Sequence, residues 1–377
     1  MGSFLIRIFL NFYSIISIFT INKKIFFLKK KTKNKIVFFY YPSQNISPTT
    51  RDYIQDYFKQ FKDCVFIYSS SSYISSLYKV IKPSYLKFIF GVDIFISNYV
   101  CDNFTNNSQK IYMHHDIYDT PLLSKNKEKN LIKRLDCYDH ILIPSVKSIP
   151  VFTDLYKKKK SKPSLIILGE YPKLTFWLEK IKKIKKKNRS RKVIVATSGF
   201  FGVPELSVKN YLIDIIKILT DSKIKTVFRP HPSNVSDKEV RKIKFKFENN
   251  KFFELDVTKD YTKKYFSSSL MITDYSGTAY TYALMTLNPV IFFSPNESYV
   301  YKSGYSKLNY FKDRKKIGFA IKKNTFDINF INRAYKNKDK FSKNIKNLRN
   351  KFFIKKNVLV LSDLINANSK INSKKNK

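Results

Sequence analysis

From Lys35 onward the chain alternates short apolar runs with polar segments of helix length, and this rhythm limits the fold more than any other feature. The runs are KIVFFYY (35–41), CVFIYS (64–69), LKFIF (86–90), DIFIS (93–97), KIYMH (110–114) and HILIP (140–144). A second set comprises VIVATS (193–198), KTVFRP (225–230), LMITD (270–274) and PVIFF (289–293). Strands covered on both faces read as unbroken apolar runs, and parallel neighbours need crossovers of about a dozen residues. Segments 50–62, 126–136, 206–221 and 236–248 supply such crossovers as expected helices. In 206–221, Leu212, Ile215, Ile216 and Leu219 recur at helical spacing, which predicts a core-facing helix with no cofactor role. The two sets predict two α/β halves with mostly parallel sheets.

The seam between the halves lies in 157–192, where Lys-rich KKKKSKP precedes GEYPKLTFWLEKIKKIKKKNRSRK. Leu174, Trp177, Leu178, Ile181 and Ile184 share one helical face, and lysines surround it. Such a helix either lies on an anionic bilayer or caps the first domain with its lysines solvated. The expected division is 1–34 as a membrane-contacting segment, 35–188 and 189–325 as the two domains, and 326–377 as terminal helices and a polar tail. A length of 377 residues suits two domains, and a hydrophobic fraction of 43% excludes wholesale disorder.

The formal net charge is +44. Lys, Asn, Ile, Phe and Tyr dominate while Gly and Ala are scarce, as AT-rich codon usage produces, so part of the charge carries no functional message. The rest implies attraction to polyanions. No nucleic-acid motif is present and the lysines are spread through the chain, so the expected polyanions are anionic lipid and phosphorylated substrates. Cys64, Cys101 and Cys137 lack metal or redox spacing and read as buried thiols of a reducing compartment. Walker A, GxGxxG and GxSxG motifs are absent.

Residues 4–21, FLIRIFLNFYSIISIFTI, are mostly apolar but carry Arg7 and Asn11, at the edge of the about 20 residues a span requires. No small-residue cleavage site follows, and the lysines behind it would hold the next residues in the cytoplasm. The favoured expectation is a membrane-contacting or anchoring helix; the other reading is a first helix of the fold.

Three stretches carry the chemistry. In MITDYSGTAYTYAL (271–284), Asp274 ends an expected strand, and Ser276, Gly277 and Thr278 begin an expected helix. A helix start offers unpartnered N–H groups with partial positive charge, and Gly277 admits close approach, so a phosphate fits there. Ordinary capping by Ser276 is the structural alternative. In VFRPHPSN (227–234), Arg229 and His231 follow a strand, and Pro230 and Pro232 stiffen the turn, so both could reach a pyrophosphate. In YMHHDIYDTPL (112–122), His114, His115 and Asp116 follow a strand of the first half, giving a candidate base with a carboxylate to orient it. Adjacent strand residues face opposite ways, which argues against a paired-histidine metal site. His140 opens a strand and reads as structural.

These pieces, in this order, resemble the CDP-glycerol glycerophosphotransferase family, the teichoic-acid polymerases and their relatives. The resemblance rests on MHHDIYDTPL, GEYPKL (169–174), VIVATSGF (193–200), RPHP (229–232), ITDYSGTAYTYA (272–283) and PVIFF (289–293). It implies two Rossmann-like domains facing each other across a cleft in the glycosyltransferase-B arrangement, here preceded by an apolar N-terminal helix, at the cytoplasmic face of the membrane. It implies transfer of glycerol phosphate from CDP-glycerol, or another nucleotide-linked donor, to a lipid-linked or glycan acceptor. His231 matches the second-domain histidine, and Ser276 and Thr278 the phosphate-binding hydroxyls. The first-domain His-Gly-Thr-Pro context is replaced here by His114-His115-Asp116, with His115 taken as the counterpart and His114 second. The expected catalytic set is His115, His231 and Asp116; the substrate-binding set is His114, Arg229, Asp274, Ser276, Gly277 and Thr278. No cofactor is required on this reading, and Mg2+ is compatible with it. The competing expectations are a glycosyltransferase using a CMP- or UDP-sugar and a non-catalytic basic protein that binds membranes or polyanions.

Overall fold

The computed structural model describes residues 2–41, 54–70, 79–98, 100–101, 107–114, 116–118, 135–159, 165–169, 171–183, 191–200, 202–258, 261–322, 325–352, 361 and 363–364. The chain forms two compact units. One comprises Met1–His115, Asn126–Lys173 and Ile354–Lys377; the other comprises Asp116–Lys125 and Leu174–Phe353.

The first unit begins with helix α1 (Gly2–Lys31). Its strands are β1 (Lys35–Tyr41), β2 (Cys64–Ser70), β3 (Lys79–Val80), β4 (Ile94–Ser97), β5 (Gln109–Met113), β6 (His140–Ile143) and, after helix α2 (Ile149–Lys159), β7 (Leu165–Leu168). They form one sheet in the order β3-β2-β1-β4-β5-β6-β7, with every pairing parallel. The continuous apolar run of β1 is the reason it can sit mid-sheet: Ile36 to Tyr40 are fully buried.

Helix α1 lays one face on this unit, burying Ser14, Ser17, Ile21 and Ile25. Asn22 clamps it to the segment before β4, donating to the Phe88 carbonyl at 2.8 Å and accepting from the Phe90 N–H at 3.1 Å. Phe12, Ile15, Ile16, Phe19 and Phe26 on α1 remain exposed. Among the described residues, no helix is long and apolar enough to cross a membrane.

The expected strand 86–90 is corrected: Pro83–Phe88 form a 3-10 turn with proline in its first turn. Pro83 lacks the N–H a ladder requires and fixes φ near the helical value, so the chain turns here. The expected helix 50–62 is helical at 54–58, and of 126–136 only 135–136 are described.

The second unit takes in most of helix α3 (Pro172–Lys183). It continues with β8 (Val193–Ala196), α4 (Leu212–Asp221), β9 (Thr226–Arg229), α5 (Lys238–Phe247), β10 (Phe253–Leu255), α6 (Thr262–Ser267) and β11 (Leu270–Thr273). Then follow α7 (Thr278–Thr286), β12 (Val290–Phe293), α8 (Glu297–Lys302), α9 (Asn309–Ile317), β13 (Gly318–Ile321), α10 (Asn329–Lys336) and α11 (Lys338–Phe352). The sheet is parallel in the order β10-β9-β8-β11-β12-β13. As its periodicity predicts, α4 buries Leu212, Ile215, Ile216 and Leu219 against the sheet. In α3, Leu174 and Trp177 are buried, so protein covers them, while Lys180 lies 4.4 Å from the Phe176 ring centre.

The short segment Asp116–Tyr118 belongs with this second unit. Tyr118 is buried; its hydroxyl donates to Asp313 Oδ2 at 2.5 Å, and its ring meets Tyr280 edge-on at 4.7 Å and Phe352 at 5.6 Å. Replacing Ile216 by Ala empties the centre of the α4 contact and is expected to cost ~2–5 kcal/mol in urea unfolding. Phe245→Ala, at a position 82% exposed, is expected to stay within about 0.5 kcal/mol of the parent.

Candidate functional site

The second sheet reverses its strand order between β8 and β11. Successive crossovers leave such a point on opposite sides, so the loops at the strands' carboxyl ends part and leave a crevice. Asp274, the first residue past β11, lies there and is fully buried. Its carboxylate accepts from the Ser198 N–H at 2.9 Å, the Ser198 hydroxyl at 2.7 Å and the Val208 N–H at 3.5 Å. Burial pushes the Asp274 carboxyl up, while the bonds from Ser198 and Val208 pull it back toward the ionised form.

Asp274 thereby fixes the loop that follows β8. Gly202 donates to the Gly199 carbonyl at 3.0 Å, closing a tight turn. Gly202 has no room for a side chain, because the Tyr275 hydroxyl occupies the place of a Cβ. That hydroxyl accepts from the Val203 N–H at 2.6 Å, and Asn234 accepts from the Phe200 N–H at 3.0 Å. Around this turn, Thr197 Oγ1, Thr273 Oγ1 and Asn234 Nδ2 are buried without a hydrogen-bond partner among the described residues.

His231, between its two prolines, is half-buried beyond β9. The Ser233 N–H donates to its Nδ1 at 3.3 Å, and Ser233 Oγ lies 2.6 Å from the same atom. A backbone N–H can only donate, so Nδ1 is the acceptor and a neutral ring carries its proton on Nε2. Burial lowers the His231 pKa and so favours that neutral form. His231 therefore presents a single N–H donor.

Arg229 does not stand open to a ligand. Its Nη1 donates to Asp256 Oδ2 at 2.6 Å, and the guanidinium lies 5.6 Å from the Tyr261 ring centre. Asp256 in turn accepts from the Thr258 N–H and hydroxyl at 3.0 and 2.6 Å. This buried pair ties the end of β9 to the turn after β10.

At the start of α7, Ser276 Oγ accepts from the Thr278 N–H at 3.4 Å, and the Thr278 hydroxyl is hydrogen-bonded to that of Tyr265. The Tyr310 hydroxyl donates to the Ser276 carbonyl at 3.0 Å. The Asp116 carboxylate rests against Gly277: a Cβ there would lie 2.8 Å from Oδ1 and 3.0 Å from Oδ2. A negative group thus already stands at the positive end of α7.

In the first unit, His114 is buried just past β5, with Nδ1 3.0 Å from the Tyr112 hydroxyl and its ring against Phe152. His115 lies outside the described residues. His140 opens β6 with Nδ1 3.4 Å from Gln109 Nε2. The structure brings Asp274, Ser276, Gly277 and Asp116 together around β11 and α7, and engages Arg229 with its own partner. Sequence reasoning gave no role to Asn234, Tyr275 or Asp256. Tyr275 and Asn234 stand inside the quoted motifs, whereas Asp256 has no local signal. Among the described residues, no group of three or more His, Cys, Asp or Glu is placed to hold a metal.

No family model matches the chain, and no curated protein matches it. Solved structures do. The wall teichoic acid polymerase TagF aligns with a TM-score of 0.60 and 16% identity over 91% of each chain. S. aureus MnaA with UDP aligns at 0.60 and 11% identity, over 89% of this chain and 97% of that one. UDP-GlcNAc 2-epimerase from Neisseria meningitidis, bound to UDP-GlcNAc, aligns at 0.59 and 13%, over 88% and 99%. At these identities the likeness is one of fold: two parallel-sheet α/β domains of the kind found in glycosyltransferase-B proteins.

Asp274→Ala leaves the Ser198 N–H and hydroxyl without their acceptor and is expected to cost about 3 kcal/mol in urea unfolding. Acidification tests His231. Because its folded pKa lies below the ordinary 6.5, the unfolded chain takes up the proton first. Its stability is complete above about pH 6.5 and is lost as pH falls through that value toward the folded pKa. His140 shifts in the same direction. His231→Asn should therefore flatten, without abolishing, the fall in melting temperature between about pH 7.5 and pH 5.

Proposed function

We propose that the chain is a transferase of cell-surface glycan biosynthesis that moves glycerol phosphate from CDP-glycerol to a hydroxyl of a lipid-linked or glycan acceptor, releasing CMP. The observation that carries this reading is the switch point of the second sheet, where a loop built on Asp274, the N–H of His231 and the start of α7 converge by sequence and topology. The same fold in the teichoic acid polymerase supports it.

On this reading the donor pyrophosphate displaces the Asp116 carboxylate from Gly277 and lies against the amides at Ser276, Gly277 and Thr278, with His231 Nε2–H directed to a phosphate oxygen. Arg229, held by Asp256, shapes the strand end that carries His231. The acceptor oxygen attacks the distal phosphorus of the donor, the bond from that phosphorus to the bridging oxygen breaks, and CMP departs with the electron pair. His115 takes the acceptor's proton, with Asp116 beside it in sequence. The amide dipoles and the His231 N–H do most of the work on this reading, because positioning and electrostatic stabilisation dominate the barrier in such transfers. A bound Mg2+ would add charge neutralisation at the pyrophosphate.

The exposed Phe12, Ile15, Ile16 and Phe19 of α1, with Lys23 and Lys24 close behind in sequence, suit peripheral contact with an anionic bilayer at the cytoplasmic face. A second reading, a glycosyltransferase that uses a CMP- or UDP-sugar, draws support from the likeness to MnaA with UDP and to the epimerase bound to UDP-GlcNAc. Incubation with CDP-glycerol and a panel of nucleotide sugars separates the two: CMP release from CDP-glycerol alone is expected, and turnover of a nucleotide sugar instead overturns the glycerophosphate assignment. His231→Ala should lower turnover by ~100-fold or more. Binding that persists unchanged in that variant, with no turnover by the parent, would make this a non-catalytic basic protein.

A further inference from the structure

We propose that Asp116 is a built-in competitor for the phosphate site at the start of α7, its carboxylate holding the place of a ligand phosphate until one arrives. Asp116 is far from α7 in sequence but belongs with the second unit. Its carboxylate oxygens crowd Gly277, at 2.8 and 3.0 Å from where a Cβ would lie. Asp116, Ser276, Gly277 and Thr278 are all half-buried, so solvent reaches the spot and a small anion can follow.

Two further observations separate this contact from ordinary capping. Ser276 already caps the helix: its Oγ accepts from the Thr278 N–H at 3.4 Å, and its carbonyl accepts from the Ala279 N–H at 3.1 Å. The carboxylate is also delivered on a tether. Two residues on, Tyr118 is buried, donates to Asp313 Oδ2 at 2.5 Å and meets Tyr280 and Phe352 edge-on. Tyr280 is itself part of α7. The helix that offers the amides thus holds the segment that carries the anion.

A carboxylate and a phosphate are drawn to a helix start by the same partial charge. Gly277 leaves room for one of them, and two anions at that distance repel. A tethered carboxylate is present at high effective concentration, so it lowers the apparent affinity of every phosphate ligand by the fraction of time it is in place. The penalty falls unequally. A pyrophosphate carries more charge and reaches donors beyond α7, His231 Nε2–H among them, whereas a phosphate monoester has fewer. Asp116 therefore favours entry of a nucleoside diphosphate donor and hastens departure of the monophosphate product. These two roles rest on the transferase reading; the competition rests on the geometry at Gly277.

The test uses the full chain with Asp116→Asn and Asp116→Ala, and inorganic pyrophosphate and CMP as probes in isothermal titration calorimetry, with and without Mg2+. Pyrophosphate should bind both variants at least ~10-fold more tightly than the parent, and CMP should gain at least as much. Without ligand both variants should melt slightly lower, since a carboxylate favourable at a helix start is lost. Pyrophosphate should then raise their melting temperature more than the parent's. Equal binding by parent and variants would make Asp116 a structural residue and overturn the proposal. Weaker binding by the variants, with or without Mg2+, would make Asp116 part of the ligand's own site and overturn it too, as would no binding by any of the three. Neither CDP-glycerol nor acceptor is present in these titrations. Failure of every donor to release CMP would therefore sink the transferase reading and leave the competition standing.

Discussion

A single buried carboxylate organises the switch point of the second sheet. Among the described residues no cation pairs with Asp274; two backbone N–H groups and one hydroxyl meet it instead. Burying a charge this way is tolerable only while all those donors stay in place. The carboxylate therefore dictates where the chain from Ser198 to Val208 can run. The tight turn at Gly199–Gly202, the contact of Tyr275 with Gly202 and the anchoring of Phe200 by Asn234 all depend on that path. Helix α7 begins four residues after Asp274, so its placement has the same origin.

The two sheets share a central order, with the first strand of each half next to its fourth, yet they treat that junction differently. In the second unit the polar residue past the fourth strand is satisfied internally and builds a loop. In the first unit the side chain of its counterpart, Asn98, has no hydrogen-bond partner among the described residues. Placing a scaffolding carboxylate in one sheet and an amide at the equivalent position in the other needs no change of fold, only a change of residue. Charge follows the same division: a carboxylate that recruits N–H groups in one, a neutral amide in the other.

Much of this architecture was legible in the sequence because interior parallel strands announce themselves as unbroken apolar runs. The strands that escaped notice are β3, β7, β10 and β13, which are the four sheet edges. Edge strands are short and covered less completely, so their sequences need not be continuously apolar. The LKFIF run was misread because Pro83 outweighs its hydrophobicity. At the site, RPHP and TDYSGT marked the right loops, since prolines and small hydroxyl residues at strand ends have local meaning. Partners distant in sequence were not legible. Nothing near Arg229 reveals that Asp256 claims its guanidinium, and nothing near Ser276 reveals Asp116 at the next residue.

Tyr118 gives the second unit a dependence on chain far from its main body. That unit runs from Leu174 to Phe353, but its interior receives a tyrosine that precedes Leu174 by dozens of residues. A fragment beginning at the seam would leave the Asp313 carboxylate without its phenol and the Tyr280 and Phe352 rings facing a void. Unit and contiguous segment are therefore not the same thing in this protein. Dissecting it into halves by truncation would damage the half that looks self-sufficient on paper, and a proteolytic nick before Leu174 would not release a complete fold.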